Sequence, residues 1–368
     1  MIALLAVFLA LAAQPRPQSR AASPSFAQVS KQAAQAREAN RLDDAIRLYR
    51  QGVRLHPDWT EGWWYLGTML YDQDRYPEAS AALNRFTALD PKVGPGWALR
   101  GLCEYQTKDY ERSLADIERA RHLGLAGNPE MDRVAQYHAA MLLTRFEQYE
   151  AALEILMRFA RLGEETPSMI EVAGIAALRK PLLPQELPGV EREMVLQVGR
   201  AVIDAGARRA AQAQKEFEDL VRGHPDAPNL HYLFGSFLLV SDPDAGLAEL
   251  KKELQISPRH VPALLQVAFE YLKRGDAASA LPFAQQGVEI DPKSFVAHNA
   301  LGRALVESGD LQKGIPELEL SKQQAPDSPE TRIALASAYA KAGRKEDAAR
   351  ERAEFLKLKQ LKEKPGEQ

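Results

Sequence analysis

The chain has 368 residues, 45% hydrophobic and 26% charged, and its 47 Lys and Arg stand against 50 Asp and Glu for a net charge of −3. That balance lacks the basic excess of a nucleic-acid binder, and the single cysteine, Cys103, excludes an intramolecular disulfide. The length exceeds what one ordinary core encloses, so two domains or a repeat array are expected.

Residues 2–13 (IALLAVFLALAA) form an uncharged apolar run. It is too short to span a bilayer, which needs about 20 residues. It has the length of a signal-peptide core, and Ala10-Leu11-Ala12 supplies a small-x-small cleavage site. No cysteine follows it, which rules out a bacterial lipoprotein anchor. The expectation is a signal peptide over 1–13 and a flexible leader over 14–25. The mature chain is then periplasmic or secreted and has no stable membrane span.

From there the sequence repeats itself. Apolar turns ending in proline recur at Pro57 and Pro91, then at Pro258, Pro292 and Pro326, with 34 residues between neighbours in each series. Pro225 extends the second series by 33 residues, and Trp63 and Trp97 keep the same period. A fixed period of this size marks a solenoid of stacked units. Each unit reads as two antiparallel helices. Small residues such as Gly67, Ala79, Ala280 and Gly302 let the two helices approach, and proline stops the second. Gly- or Asp-rich turns separate them at Asp72-Gln73-Asp74, Arg274-Gly275-Asp276, Ser308-Gly309-Asp310 and Ala342-Gly343-Arg344. One pair cannot bury its apolar stripe alone, so neighbouring pairs must stack.

The pattern resembles the tetratricopeptide repeat. Residues 60–93 carry it most fully, through Trp63, Leu66, Gly67, Leu70, Ala79, Leu83, Phe86 and Pro91. Further copies start at 261 and 295, a weaker one at 26, and less complete ones at 94, 133, 194, 228 and 329. The resemblance implies an all-α fold, an α-solenoid coiled as a right-handed superhelix of about nine repeats. The N-terminal array spans 26–167. The C-terminal array with its capping helix spans 194–362, followed by a tail over 363–368.

Residues 168–193 break the period. Ser168–Arg179 reads as one helix, followed by three prolines in Lys180–Gly189, with helix resuming near Val190. Leu182, Leu183 and Leu187 are apolar for a loop and are expected to pack against something. Lys345–Lys364, rich in Lys, Arg and Glu, reads as a solvating terminal helix.

No HExxH, GxSxG, phosphate-binding glycine loop or paired-cysteine motif occurs in the sequence. No catalytic residue, metal or cofactor is therefore expected. Cys103 reads as a buried thiol rather than a nucleophile. In the family the resemblance points to, positions on each first helix face a groove that receives a protein or peptide. Carried onto this chain, those positions give Trp64, Thr68, Tyr71, Tyr105, Tyr137 and Arg145, then Phe269, Asn299 and Arg303; Tyr232 and Lys341 lie on the same face. Aromatic residues suit such a groove because they bury much area at low entropy cost. The family's carboxylate-clamping subclass has Lys and Asn where this chain has Ser30 and Ala34, so its chaperone-tail ligand is not implied. The function expected is an exported protein-binding scaffold. A cell-envelope assembly factor is the second reading, and an enzyme or enzyme subunit with a site of no known motif is the third.

Overall fold

The computed structural model describes residues 24–125 and 127–363. The expected signal peptide, the leader up to residue 23 and the tail from residue 364 lie outside the described residues. Those described form nineteen α-helices. The chain divides into two compact units, one ending at Ala135 and the other beginning at Gln136.

The first unit contains α1 (Phe26–Glu38), α2 (Leu42–Leu55), α3 (Thr60–Asp72), α4 (Tyr76–Leu89), α5 (Gly94–Gln106) and α6 (Tyr110–Leu123), packed as successive pairs. The boundary falls inside α7 (Pro129–Arg145). The second unit continues with α8 (Tyr149–Leu162), α9 (Pro167–Ala177), α10 (Arg192–Gly206), α11 (Ala210–Gly223), α12 (Leu230–Leu238) and α13 (Pro243–Ile256). It ends with α14 (Val261–Lys273), α15 (Ala277–Ile290), α16 (Phe295–Glu307), α17 (Leu311–Gln324), α18 (Pro329–Lys341) and α19 (Lys345–Glu363). Nine of the described helix pairs sit where the nine repeats are expected, and α9 is the additional helix. Both units are all-α solenoid segments.

Proline sets the end of the second helices. The residue before it, His56, Asp90, Ser257, Asp291 or Ala325, leaves the helix with φ between −127° and −139°, the extended region that a following proline enforces. Except at Pro258, whose carbonyl accepts from Gln286, the proline's carbonyl is then captured from six residues downstream. Trp63 and Trp97 donate their indole N–H to the carbonyl oxygens of Pro57 and Pro91 at 2.8 and 3.0 Å. His231 and His298 place Nε2 at 2.9 and 3.0 Å from those of Pro225 and Pro292, and Arg332 donates to that of Pro326. Three side-chain types thus satisfy one recurring acceptor, which explains why the tryptophan signature fades along the chain.

The turn inside eight of the nine described pairs uses one left-handed residue, and the α12–α13 turn uses none. Asn40, Asp74 and Lys108 supply it in the first unit at φ 54° to 64°, and Gly275, Gly309 and Gly343 in the second at 74° to 90°. Close approach follows at the small positions: a Cβ on Gly67, Gly101 or Gly302 would lie 2.7 to 2.8 Å from Leu83, Ile117 or Leu318.

The irregular segment lies inside the second unit. α9 crosses α10 at two glycines, where a Cβ on Gly174 would meet the Val195 carbonyl oxygen at 1.9 Å and one on Gly199 would meet that of Ile170 at 2.0 Å. The proline-rich loop forms two short 3-10 turns, Pro184–Glu186 and Gly189–Glu191. Leu183 and Leu187 are buried in it, and Leu182 and Leu187 pack with α9–α12. Arg145 ties the loop to α7 by donating to the Pro181 carbonyl at 2.7 Å. Beyond it, buried Glu253 accepts the backbone N–H groups of Asn229 and Tyr232 at 2.9 and 3.3 Å, capping the start of α12 from another helix.

Candidate partner-binding surfaces

In the first unit, α3 and α5 carry Trp64, Thr68, Tyr71 and Tyr105, all half-buried. The Trp64 ring lies 5.1 Å from Phe86, Tyr71 stands edge-on to Tyr76 at 5.6 Å, and Tyr105 leans on Tyr110 at 5.7 Å. Each aromatic on a first helix thus rests on one from a second helix, which fixes its direction and leaves part of its surface open. Thr68 donates to the Tyr65 carbonyl at 3.1 Å, as a helical hydroxyl commonly does. Burial raises the Tyr71 hydroxyl above its ordinary range, so it remains a neutral donor.

Behind this row lies a buried charged cluster. Arg100 donates to Asp116 at 2.5 Å and to Asn84 and Thr87 at 2.9 and 3.0 Å, while its guanidinium lies over Trp97. Glu104 is buried beside them, and its Oε2 has no hydrogen-bond partner among the described residues. Burial first, and then the Asp116 charge, push the Glu104 carboxyl up to about 7. Burial also pushes the neighbouring Cys103 thiol up to about 12, with Glu104 as the second cause. A thiol held neutral in this way is a poor nucleophile.

The second unit holds the other residues singled out in the sequence. Tyr137 is half-buried on α7 with its ring edge-on to His138 at 5.7 Å. Arg145, on the same helix, is engaged by the proline-rich loop through the Pro181 carbonyl and lies 3.9 Å from Glu186. Farther along, α14 and α16 bring Phe269 and Arg303 together, with the guanidinium 5.6 Å from the ring centroid. Asn299 is only 4% exposed, and its amide donates to Thr331 Oγ1 at 3.2 Å, so it joins α16 to α18 rather than lining a surface. A shallow recess of about 320 Å³ runs beside Arg303, edged by Glu307, Glu330, Ile333 and Lys341. Ile333 is 40% exposed there. Sequence reading missed it because an isoleucine on a helix is core by default; its position on α18 corresponds to that of Asn299 on α16, and that equivalence was the available signal.

A second recess, of about 310 Å³, opens among α8–α12. Tyr232 is the one lining residue carried over as a groove position in the sequence; the others come from both helices of neighbouring pairs, from α9 and from the loop after it. Among the described residues, no group of three or more His, Cys, Asp or Glu side chains could hold a metal ion. No helix among them is long and apolar enough to cross a membrane.

The family model described as tetratricopeptide repeat matches residues 30–93, 70–124 and 299–354. No curated protein matches the chain. Among solved structures, a MamA fragment from Desulfovibrio magneticus RS-1 is 21% identical over 46% of this chain and 96% of its own, with a TM-score of 0.40. YrrB, described as a TPR protein with an unusual peptide-binding site, is 16% identical over 44% of this chain and 84% of its own, with a TM-score of 0.39. Residues 30–124 and 299–354, whose helix pairs keep the repeat's register, thus carry tetratricopeptide repeats.

Proposed function

We propose that the protein is an exported, non-enzymatic scaffold that binds a segment of another protein along the first helices of its repeats. The observation that carries this reading is the patch on α14, α16 and α18. There the half-buried Phe269, the Arg303 guanidinium stacked on it and the exposed Ile333 follow one another on successive first helices. An arginine held over an aromatic beside an exposed aliphatic supplies the residue types that dominate binding energy at interfaces. Export rests on the apolar run at residues 2–13.

The test is affinity capture with mass spectrometry from envelope extract, using the chain from Ser25 as bait. Ile333→Asp/Arg303→Glu and Trp64→Ala/Tyr105→Ala versions, checked for folding, run in parallel. One dominant partner, lost with either double variant, supports the reading and locates the surface. A partner kept by both variants moves binding to another face, and no partner at all overturns it. Export is tested by fractionation with N-terminal sequencing: a mature chain starting near Gln14 outside the cytoplasm is expected, and an intact chain in the cytoplasm overturns that part.

A further inference from the structure

The recess among α8–α12 forms where the repeat is interrupted. α9 ends at Ala177, and Arg179, at φ 54°, turns the chain away into the proline-rich loop. Ala176, Ala177 and Ala205 therefore line a place that larger side chains would fill. Met157, Phe217 and Phe237 converge on it from α8, α11 and α12. Gly206 holds α10 against α8 there, since a Cβ on it would sit 2.9 Å from Met157 Cγ. The walls are apolar, and an apolar cavity of about 150 Å³ already accommodates benzene. The 310 Å³ here is room for a phenyl ring or a leucine side chain with part of its own backbone.

The mouth is polar and carries both signs. Arg179 donates to Glu150 at 2.5 Å, with its guanidinium 4.7 Å from the Tyr149 ring centroid. The Glu150 side chain is 62% exposed, so it can turn outward at little cost. The Ser236 hydroxyl in the lining is committed, lying 2.6 Å from the Tyr232 carbonyl oxygen and 2.7 Å from Gln266 Oε1. That leaves a cationic donor and a carboxylate acceptor side by side at the opening of an apolar hole. A peptide unit offers one acceptor and one donor. A hydrocarbon offers neither, and a free carboxylate offers acceptors only.

We propose that this recess seats one bulky apolar side chain, aromatic or leucine-like, of a partner polypeptide. Arg179 receives that residue's backbone carbonyl, and Glu150 its backbone N–H. The inference rests on the protein-binding reading above and adds to it the chemistry of an anchor residue.

The probe is N-acetyl-phenylalanine N-methylamide, titrated into the full chain carrying ¹³C-methyl methionine. The chain has seven methionines, and the Met157 signal is identified by its loss in Met157→Leu. A saturable shift of that signal is expected, with none from the alanine analogue. Ala205→Phe, which fills the recess, abolishes the shift. Arg179→Gly suits the local backbone and lowers affinity for the phenylalanine compound about tenfold, the worth of one to two hydrogen bonds. It leaves toluene binding unchanged. A silent Met157 signal overturns the proposal, as does a shift that survives Ala205→Phe. Toluene or phenylpropionate binding as tightly as the amide also overturns it, by assigning the recess to free small molecules. None of these outcomes depends on capturing a partner, so the recess can fail while the scaffold reading stands, and the reverse.

Discussion

Replacing Gly174 by alanine sets two effects of opposite sign against each other. In a helix interior, alanine is favoured over glycine by about 1 kcal/mol, so propensity alone predicts a more stable protein. The crossing of α9 with α10 predicts the opposite, because the new Cβ would lie 1.9 Å from the Val195 carbonyl oxygen. A carbon rests at about 3.3 Å from such an oxygen, so the helices must part by more than 1 Å. Both sides of the contact are backbone, so no rotamer change relieves it, and the parting loosens the buried Val172, Ile175 and Val195. Overpacking of this kind costs about 3 kcal/mol, and the net expectation is a destabilisation of about 2 kcal/mol. Gly223→Ala at the end of α11 is the control, since nothing lies within 4 Å of its added Cβ; it should stabilise by about 0.5 kcal/mol. Urea unfolding followed by circular dichroism compares the two, and amide exchange in α9 and α10 locates the change. A Gly174→Ala protein as stable as the parent would refute the crossing as described.

Lys108→Gly should raise the urea midpoint, by about 1 kcal/mol in stability, because Lys108 occupies a left-handed turn at φ 64° that its side chain disfavours; a lower midpoint would mean its side-chain contacts matter more. Glu253→Ala should destabilise by about 3 kcal/mol, because the Asn229 and Tyr232 N–H groups lose their buried acceptor; exchange protection at α12 reads it directly. The Glu104 carboxyl is raised from an ordinary 4.5 to about 7 in the folded chain. Between those values the folded state holds more protons than the unfolded one, so stability falls as pH rises through that window and levels off above it. Urea midpoints at pH 5 and pH 8 should show the fall, and Glu104→Gln should abolish it.

Much of the fold was legible in the sequence. The 34-residue spacing of Pro57 and Pro91, and of Pro258, Pro292 and Pro326, fixed where second helices end, because proline acts on the residue directly before it. The extent of α9 was readable within two residues, since its Ile, Ala and Leu pattern is local. The candidate surfaces were legible only in part. Phe269 and Arg303, on successive repeats, meet as their shared register implies. Asn299, at an equivalent register, is consumed by Thr331, a residue of the next repeat whose hydroxyl no pattern on α16 announces. Arg145 is engaged by a loop 36 residues away.

The sequence by itself determined the repeat, the helix pairs and the turns, because periodicity, proline and small residues act within about one repeat of chain. Only the tertiary structure decided that Gly174 and Gly199 form a crossing, that Leu183 and Leu187 are core, and that alanines on α9 and α10 leave an apolar recess. Each of those depends on which side chains arrive from other helices, and volume left unfilled has no residue to mark it.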